Sequence, residues 1–437
     1  MLESSYWNRF LRRSLSRRRL LTGVALGTTG LAAAAVVGCS DDEETGTTGG
    51  GGGTYKDPGI SDTEVKIGGT WPLTGPILQS TAIADSPKAY FEYINKTQNG
   101  VDGRKINYTF YDDQYSPPNT VERTRQLLDQ DGVFALAAGL GTAQQNAVVP
   151  LVEQRGIPQL FISTTASIFL DAKKHPWTTT ALSLAPYYGY GAVFGDYVND
   201  EVKSAKVAVF YQNDDLGKDF LNGMKSTLKS PAAIVSEQTY EPTDTSVDVQ
   251  VLAMKNSGAN VMMSASVLRQ HTLAIKSAAS IGWKPQVLCS HAIISILAIK
   301  SQGLEQAYEG AIALNIGKDP FDPQWASDAA LKDADKAINE SGVNVDRRDG
   351  QWLTGQIWAR AFAEALKRMK EPTRAGINEA VRSLKEFDGN GLLLPGITAS
   401  GSKETNAMTT QGRLGRWNGA RFELFGDVLK CPLPPIA

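Results

Sequence analysis

From residue 65 onward, short apolar segments typical of β-strands alternate with longer segments that have the period of an α-helix. The segment 133–138 has no polar face, which is expected of a strand that helices cover on both sides of a parallel sheet. One run of this alternation spans residues 65–162, and a second begins at the helical segment 187–200. The pattern predicts an α/β fold with two similar lobes, each built on a doubly wound parallel sheet.

The individual elements follow from the same pattern. Strands are predicted at 65–69, 106–111, 133–138, 159–162, 207–211, 234–240, 261–265, 286–289 and 311–314. Helices are predicted at 83–95, 119–130 (with Asn119 as N-cap), 144–155, 187–200, 220–228, 249–256, 268–281, 326–340, 351–369 and 374–385. The segments 414–417 and 422–425 flank Asn418-Gly419 and predict a closing β-hairpin.

The composition and motif content of the chain argue against several classes of function. The 437 residues include 44 basic and 46 acidic side chains, a balance that gives no support to nucleic-acid binding. Three Cys are too few for a disulfide-dense scaffold, and three scattered His do not form a metal-ligand pattern. The sequence contains no nucleophile elbow, no HExxH motif and no Ser-His-Asp set. We therefore expect no catalytic residues, no metal site and no cofactor, in a chain that is not an enzyme.

Residues 1–38 have the pattern of an export signal. Six Arg side chains precede an apolar run, Leu20–Val37, that is rich in Ala and Gly. Ser16–Leu21 resembles the twin-arginine (Tat) export motif, and Val36–Cys39 resembles the lipobox of bacterial lipoproteins. This pattern predicts a cleaved signal and lipidation of Cys39, which anchors the protein to the outer face of the bacterial cell membrane. An N-terminal membrane helix with an incidental Cys is the alternative, and Tat versus Sec export stays open.

Residues 39–60 are predicted to be a flexible tether. Ser40–Glu44 is acidic, and Thr45–Thr54 is a Gly/Thr tract that cannot bury a core. Without residues 1–38 the chain retains 38 basic and 45 acidic side chains, a net charge of about −7. A mildly acidic body avoids an anionic lipid surface while the lipid holds the protein near it.

The loop Gly139–Thr142 is the most informative place to look for a ligand, because ligands of such folds bind beyond the carboxyl ends of the strands. Its glycines allow close approach to the backbone, and it opens a helix whose N-terminus offers unpaired N–H groups and a positive dipole end. With the Thr142 hydroxyl this arrangement suits a carboxylate, and Ser163 and Thr165 are placed to add donors. The alternative is that these small polar residues only cap helices.

Gly139-x-Gly141 also begins a dinucleotide-binding fingerprint. Gln144 stands where the third glycine belongs, so the match is weak. It leaves an exported enzyme with a Rossmann-like domain as a remote alternative.

Further residues carry alternatives of their own. Asp112 and Asp113 are interpreted as capping residues at a strand end rather than as an acid–base pair or metal ligands. Cys289 and Cys431 either pair in an oxidising compartment or remain free, and the sequence does not decide between these states. His175, which precedes a proline, is expected at the surface.

Several motifs follow one another in a specific order along the body of the chain. They occupy residues 65–68, 72–76, 99–106, 111–114, 131–135, 156–158 and 206–209. In this order they resemble the branched-chain amino-acid (leucine/isoleucine/valine-binding-like) type of ABC transporter substrate-binding lipoprotein, which has the type I periplasmic-binding-protein fold. The resemblance covers residues 65 to about 425.

The resemblance implies two doubly wound parallel-sheet lobes joined by a three-stranded hinge. Lobe 1 is then expected at 61–184 plus 315–398 and lobe 2 at 185–314 plus 399–429, with a C-terminal tail at 430–437. It also implies a small-molecule ligand in the cleft between the lobes, ABC permease and ATPase subunits as partners, and hinge closure as the mechanism. We expect a monomer that releases its solute unaltered. A ligand-sensing subunit of a signalling complex is the alternative within the same fold.

The family's carboxylate contacts correspond to Thr142, Ser163 and Thr165. Its ammonium-binding acidic residue corresponds to His291, which supplies no negative charge when neutral. The resemblance therefore implies a small carboxylate, either an amino acid or a related aromatic or aliphatic acid, and whether it has an α-amino group stays open. The family's ligand-walling tyrosines fall near Ser80, Leu216 and Ser266. Trp71 and Trp352 are candidates for apolar walls, with core packing as the alternative. The full expected ligand-binding set is Gln79, Ser80, Gly141, Thr142, Ser163, Thr165, Leu216, Ser266, His291 and Trp352.

Overall fold

The first part of the chain forms a parallel sheet with helices between its strands. The computed structural model describes residues 55–77, 81–290, 293 and 295–435. The first elements, in chain order, are β1 (Glu64–Trp71), α1 (Ala82–Thr97), β2 (Lys105–Asp112), α2 (Pro117–Asp129), β3 (Ala135–Ala137), α3 (Thr142–Arg155), β4 (Gln159–Ile162) and β5 (Thr178–Thr180). The strands pair in the order β2-β1-β3-β4-β5, and every pair is parallel. β3 and β4 are buried along their whole length, as expected of strands covered on both faces.

A second, larger sheet follows. Its elements begin with α4 (Tyr187–Glu201), β6 (Val207–Gln212), α5 (Asp215–Thr227), β7 (Ile234–Tyr240), α6 (Asp248–Asn256), β8 (Val261–Ala265), α7 (Leu268–Ser280), β9 (Gln286–Ser290), α8 (Ile296–Ser301) and β10 (Ile312–Asn315). The remaining elements are α9 (Ala329–Ser341), α10 (Trp352–Arg368), α11 (Arg374–Arg382), β11 (Gln411–Trp417), β12 (Phe422–Leu424) and β13 (Leu429–Lys430). The strand order is β12-β11-β10-β9-β8-β6-β7, and β13 pairs with β11.

The chain passes between the two sheets three times. It leaves the first sheet after β5, and it returns after β10, because α9 and α10 pack against α1. It then rejoins the second sheet at β11, which pairs with β10 in antiparallel fashion. We use lobe 1 for β1–β5, α1–α3 and α9–α11, and lobe 2 for α4–α8 and β6–β13.

The predicted closing hairpin is confirmed, one local prediction needs correction, and one buried strand was not predicted. β11 and β12 pair in antiparallel fashion around Gly419, whose φ of +89° a glycine adopts without strain. Asn119 is not an N-cap: α2 begins at Pro117, whose fixed φ suits a first helical position, and Ser116 takes the cap position. The three threonines of β5 give no apolar signal, so the sequence pattern misses this buried strand.

No helix that the structure describes combines the length and apolar character needed to span a bilayer.

Candidate functional site

A cavity between the two lobes lies at the carboxyl ends of the strands of both sheets. Its volume of about 90 Å³ is several times the ~10–15 Å³ that one water molecule needs, so it has room for a small solute. We call it the central chamber. Its wall is formed by Ile77, Ile83, Tyr115, Leu140, Gly141, Thr142, Ser163, Ser183, Leu184, Tyr187, Leu216, Phe220, Ser264, Ser266, Val267, Leu268, Ser290, Ile293, Gln351 and Thr354.

The N-terminus of α3 forms the polar part of the lobe 1 wall. Gly141 occupies the N-cap position with a φ of +106°, and a Cβ there would collide with the Gln144 amide and the Tyr115 ring. Thr142 is the first helical residue, and its hydroxyl lies 2.8 Å from the hydroxyl of Thr164. The N–H groups of a first helical turn have no partner within the helix, so this end of α3 offers donors to the chamber.

Ser163 adds a second hydroxyl to the same wall. Its backbone N–H donates to the Gly139 carbonyl at 2.8 Å, which joins the loops after β3 and β4. The side chain is half-buried and lines the chamber. Two strand-end loops therefore bring Gly141, Thr142 and Ser163 together at one place.

Thr165 has a different environment. It is fully buried, lies outside the chamber wall, and its hydroxyl donates to the Ala185 carbonyl at 2.6 Å. Its own carbonyl accepts a bond from the Tyr187 N–H at 3.3 Å. Thr165 therefore braces the first connection between the lobes, and we leave it out of the proposed ligand contacts.

The lobe 2 wall combines hydroxyl groups with apolar side chains. Ser266 lines the chamber directly after β8, and its hydroxyl lies 2.7 Å from that of Ser264. Leu216 lies in the first turn of α5, which Asp214 caps by accepting the Leu216 N–H at 3.0 Å. Burial raises the pKa of Asp214, and a hydrogen bond from Gln212 acts in the opposite direction.

Trp352 does not line the chamber. It is 4% exposed and packs in the core of lobe 1 at the start of α10. Its neighbours Gln351 and Thr354 face the chamber instead. Trp71 is also a core residue: its indole N–H donates to the Tyr108 hydroxyl at 2.6 Å, and it lies outside the chamber wall.

Four predicted residues lie outside the described part of the chain. They are Cys39, Gln79, Ser80 and His291.

Sequence reasoning missed several wall residues that come from outside the strand-end motifs. Tyr115 has a φ of +56° and is held by Asp113, which accepts its N–H at 3.0 Å. Ser183, Tyr187 and Phe220 come from the first connection and from helices of lobe 2. The positive φ of Tyr115 has no residue-type signal, because glycine or asparagine is the usual marker of that conformation.

The predicted capping role of the Asp pair is confirmed. Asp112 accepts hydrogen bonds from the N–H groups of Leu73, Thr74 and Gln114, and none of these contacts resembles an acid–base site. Burial raises the pKa of Asp113 to about 6 despite its bond from the Tyr115 N–H.

Charge is absent from the described wall of the chamber. None of the twenty described wall residues is Asp, Glu, Lys, Arg or His. Hydroxyl, amide and backbone groups are therefore the polar contacts that this part of the wall offers. No group of three or more His, Cys, Asp and Glu among the described residues is arranged to hold a metal ion.

A second cavity of about 70 Å³ lies beside the connecting segments. Its wall includes three charged residues: Lys318 and Asp322, which have ionic partners within the chain, and Asp319, whose carboxylate accepts the N–H groups of Ile296 and Phe321 at 3.2 and 2.8 Å. Lys318 pairs with the Asp328 carboxylate, and Arg421 Nη1 lies 3.2 Å from Asp322 Oδ1. These pairs satisfy one another, so we take the central chamber as the candidate site.

Hydrogen bonds join the lobes around the chamber. Ser167 of lobe 1 donates from both its N–H and its hydroxyl to the Asp219 carboxylate of lobe 2, at 2.6 and 2.8 Å. Gln212 Nε2 donates to the Tyr115 hydroxyl at 3.3 Å. Near the chamber, Arg269 Nη1 donates to the Pro76 carbonyl at 2.6 Å. The structure therefore shows the lobes in mutual contact.

The structure also shows the state of the two cysteines and the position of His175. Cys289 and Cys431 are both buried free thiols. His175 is 8% exposed, so the expected surface position is wrong. Its ring lies 6.5 Å from the Phe169 ring, measured between centroids, and burial lowers its pKa, so the imidazole packs in its neutral form.

The two lobes, the three connections and a chamber at the strand ends define a two-lobed binding protein. Residues 64–421 match the sequence profile of the periplasmic binding proteins, and the chain belongs to this family. The family consists of substrate-binding proteins, and membership implies an extracytoplasmic location. The resemblance inferred from the sequence motifs and the predicted type I fold are thereby confirmed.

The chain is also similar to individual proteins of known name or structure. It is 21% identical over 337 residues to Leu/Ile/Val-binding protein homolog 7 from Brucella abortus, covering 74% of this chain and 82% of that protein. A fatty acid ABC transporter substrate-binding protein from Thermomonospora curvata superposes with a TM-score of 0.72 at 21% identity, covering 87% and 95%. A branched-chain amino acid ABC transporter protein from Thermus thermophilus with bound valine gives 0.71 at 17% identity, covering 85% and 98%.

Proposed function

We propose that this protein is the solute receptor of an ABC importer and that it captures a small carboxylate-bearing solute in the central chamber. The observation that carries the proposal is the chamber itself, which has an open helix N-terminus and hydroxyls on one wall and apolar side chains around them. The solute is released unaltered, since the mechanism requires binding and release only.

The end of α3 is the proposed carboxylate site. Backbone N–H groups and the positive dipole end of a helix stabilise an anion without a cationic side chain. The hydroxyls of Thr142 and Ser163 stand at the same end of the chamber wall. Hydrogen bonds to a charged group contribute about 1.5–3 kcal/mol each, so a few of them suffice for a small ligand.

The rest of the solute is proposed to pack largely against apolar side chains and to lack an ammonium group. Ile83, Leu140, Leu216 and Phe220 provide apolar surface, whereas the described wall has no acidic side chain to hold a cation. Desolvating an ammonium without an anionic partner is costly. The similar proteins include one named for fatty acids and one with bound valine, and a carboxylate is the group that these two kinds of ligand share.

Ligand capture is proposed to proceed by hinge closure. The chamber takes wall residues from both lobes, so the complete set of contacts exists only when the lobes meet. A solute that binds this state more tightly than an open one shifts the population towards closure. The contacts of Ser167 with Asp219 and of Arg269 with Pro76 would then form on closing.

The cellular context is part of the same proposal. We propose that the chain is exported by its Arg-rich signal, lipidated at Cys39 and held as a monomer beside a permease and its ATPase. The acidic and Gly-rich residues 39–60 would give the receptor the reach of a flexible linker.

Calorimetric titration of the purified full-length chain tests the ligand class. A panel of aliphatic and aromatic carboxylates, with the amide and amine of each skeleton, should give binding by carboxylates only. Thr142→Ala should weaken that binding by about ten- to a hundredfold, the loss of one bond to a charged group. Thr180→Ala is the matched control, because this buried hydroxyl donates to the Asn406 carbonyl and lies outside the chamber wall. Binding of amines but not acids, or equal effects of the two variants, would contradict the proposal.

A further inference from the structure

Three side chains of lobe 2 form a hydrogen-bonded chain that ends at the central chamber. Ser266 Oγ lies 2.7 Å from Ser264 Oγ, and Ser264 Oγ lies 2.8 Å from His271 Nδ1. Ser266 and Ser264 both line the chamber, and the side chains of Ser264 and His271 are fully buried. We call these three residues the serine–histidine relay. The direction in which the hydrogen bonds run along this relay decides whether Ser266 donates or accepts a hydrogen bond at the chamber.

His271 sets this direction because it is neutral. Burial lowers its pKa to about 3, so the ring carries one proton at neutral pH. A neutral imidazole has one N–H donor and one acceptor nitrogen. His271 Nε2 is buried and has no hydrogen-bond partner among the described residues. The tautomer is therefore decided by which form of Nε2 is less costly to leave unpaired.

An unpaired buried acceptor is less costly than an unpaired buried N–H, which is rare in folded proteins. The proton of His271 is therefore placed on Nδ1, which donates to Ser264 Oγ. Ser264 then donates to Ser266 Oγ, and the Ser266 O–H is left to point into the chamber. The opposite tautomer would place Nε2–H beside the Tyr308 ring, whose centroid lies 5.7 Å from that of His271. Such a contact is weaker than a bond to oxygen.

We propose that the relay fixes Ser266 as a hydrogen-bond donor, and that lobe 2 therefore selects a solute with an acceptor oxygen, rather than an ammonium, facing Ser266. The proposal rests on the proposed function, because it takes a carboxylate at the end of α3 as given. A 2-oxo or 2-hydroxy acid is complementary to both sides of the chamber. Its carboxylate faces the N-terminus of α3, and its second oxygen accepts a hydrogen bond from Ser266. His271 lies outside the chamber wall and acts as a positioning residue, whereas Ser264 lies in the wall and links His271 to Ser266.

The tautomer is measured first, without any ligand. Nitrogen-15 NMR of the full-length chain with labelled histidine distinguishes a protonated from an unprotonated ring nitrogen, and His271→Gln assigns the signals. We expect a neutral ring at pH 7 with the proton on Nδ1. A proton on Nε2, or on both nitrogens, overturns the proposal.

The selectivity is measured with three acids of one carbon skeleton. They are 4-methyl-2-oxopentanoate, L-leucine and 4-methylpentanoate, which carry an oxygen, an ammonium or hydrogen at carbon 2. In the wild-type chain the oxo acid should bind about tenfold or more tightly than leucine, and about tenfold more tightly than the unsubstituted acid.

Variants of the relay separate positioning from folding. Ser264→Ala should lower the preference for the oxo acid over 4-methylpentanoate by about three- to tenfold. Ser264→Thr, which keeps the hydroxyl, should restore the preference. Ser277→Ala is the control, because Ser277 lies on the same helix as His271 but bonds to Asp248 and not to the relay.

The outcomes distinguish failure of the relay proposal from failure of the proposed function. A wild-type preference for leucine, or an unchanged preference in Ser264→Ala, removes the relay from selectivity while carboxylate binding stands. Failure of all three acids, and of the wider carboxylate panel, to bind the wild-type chain overturns the proposed function and the relay proposal with it.

Discussion

The carboxylate of Asp219 joins the two lobes and gives a pH-dependent prediction. Its oxygens accept hydrogen bonds from the N–H and the hydroxyl of Ser167, at 2.6 and 2.8 Å. Burial nevertheless raises the pKa of Asp219 to about 6, from an ordinary value of 3.8. The folded protein therefore holds a proton on this carboxyl more tightly than the unfolded chain does.

The sign and size of the effect follow from this difference. Between about pH 4 and pH 6 the folded state is protonated at Asp219 where the unfolded chain is ionised, so the free energy of unfolding falls as the pH rises. A shift of about two pKa units corresponds to about 3 kcal/mol over the whole window. Asp219→Asn is neutral at every pH and keeps both a donor and an acceptor for Ser167. The wild-type free energy of unfolding should therefore rise by up to about 3 kcal/mol relative to the variant as the pH is lowered from 7 to 4.

Urea unfolding followed by tryptophan fluorescence measures this difference at each pH. Comparing each variant with the wild type cancels the contribution of Asp113, whose pKa burial also raises to about 6. Asp102→Asn removes the same charge from an exposed residue and is the control for the loss of one negative charge. A wild-type-minus-Asp219→Asn difference that is flat across the range, or that grows as the pH rises, would refute the reasoning.

Three further substitutions test individual contacts. Gly141→Ala should weaken carboxylate binding at least tenfold and lower the free energy of unfolding by about 1–3 kcal/mol. The reason is that a residue with a Cβ is strained at a φ of +106°, and the Cβ collides with its neighbours. Calorimetry measures the change in binding, and urea unfolding measures the change in stability. Thr165→Ala should cost about 1–3 kcal/mol of stability by leaving the Ala185 carbonyl unpaired, while solute affinity changes less than in Thr142→Ala. Arg269→Ala, which removes the bond to the Pro76 carbonyl, should accelerate solute release severalfold in stopped-flow measurements with little change in melting temperature.

The repeating pattern of strands and helices was enough to predict the fold. Fully buried strands such as β8 and amphipathic helices such as α9 have strong sequence signals, because helices must cover both faces of a parallel sheet. β5 escaped prediction because its three threonines are polar in sequence but buried in the structure, where Thr180 donates to the Asn406 carbonyl. A bond between residues so distant along the chain leaves no local pattern.

The site could be predicted in part. Strand-end rules and family motifs pointed to Gly141, Thr142 and Ser163, and the structure brings these three together on one wall of a chamber. The same rules did not separate Ser163 from Thr165, because two hydroxyl residues that are two positions apart differ only in which way the loop turns them.

The wall formed by Tyr115 and the relay behind Ser266 needed the structure. Tyr115 reaches the chamber through a positive φ, and His271 reaches Ser264 from a neighbouring helix. Neither relation has a fixed spacing that a single sequence could show.

A crystal structure of the full-length chain with the most tightly bound carboxylate tests the central claim most directly. We expect the carboxylate oxygens within hydrogen-bonding distance of the Thr142 hydroxyl and of the first N–H groups of α3, with lobe 2 residues such as Ser266 closing over the solute. A solute bound outside the central chamber, or held by one lobe alone, would contradict the account.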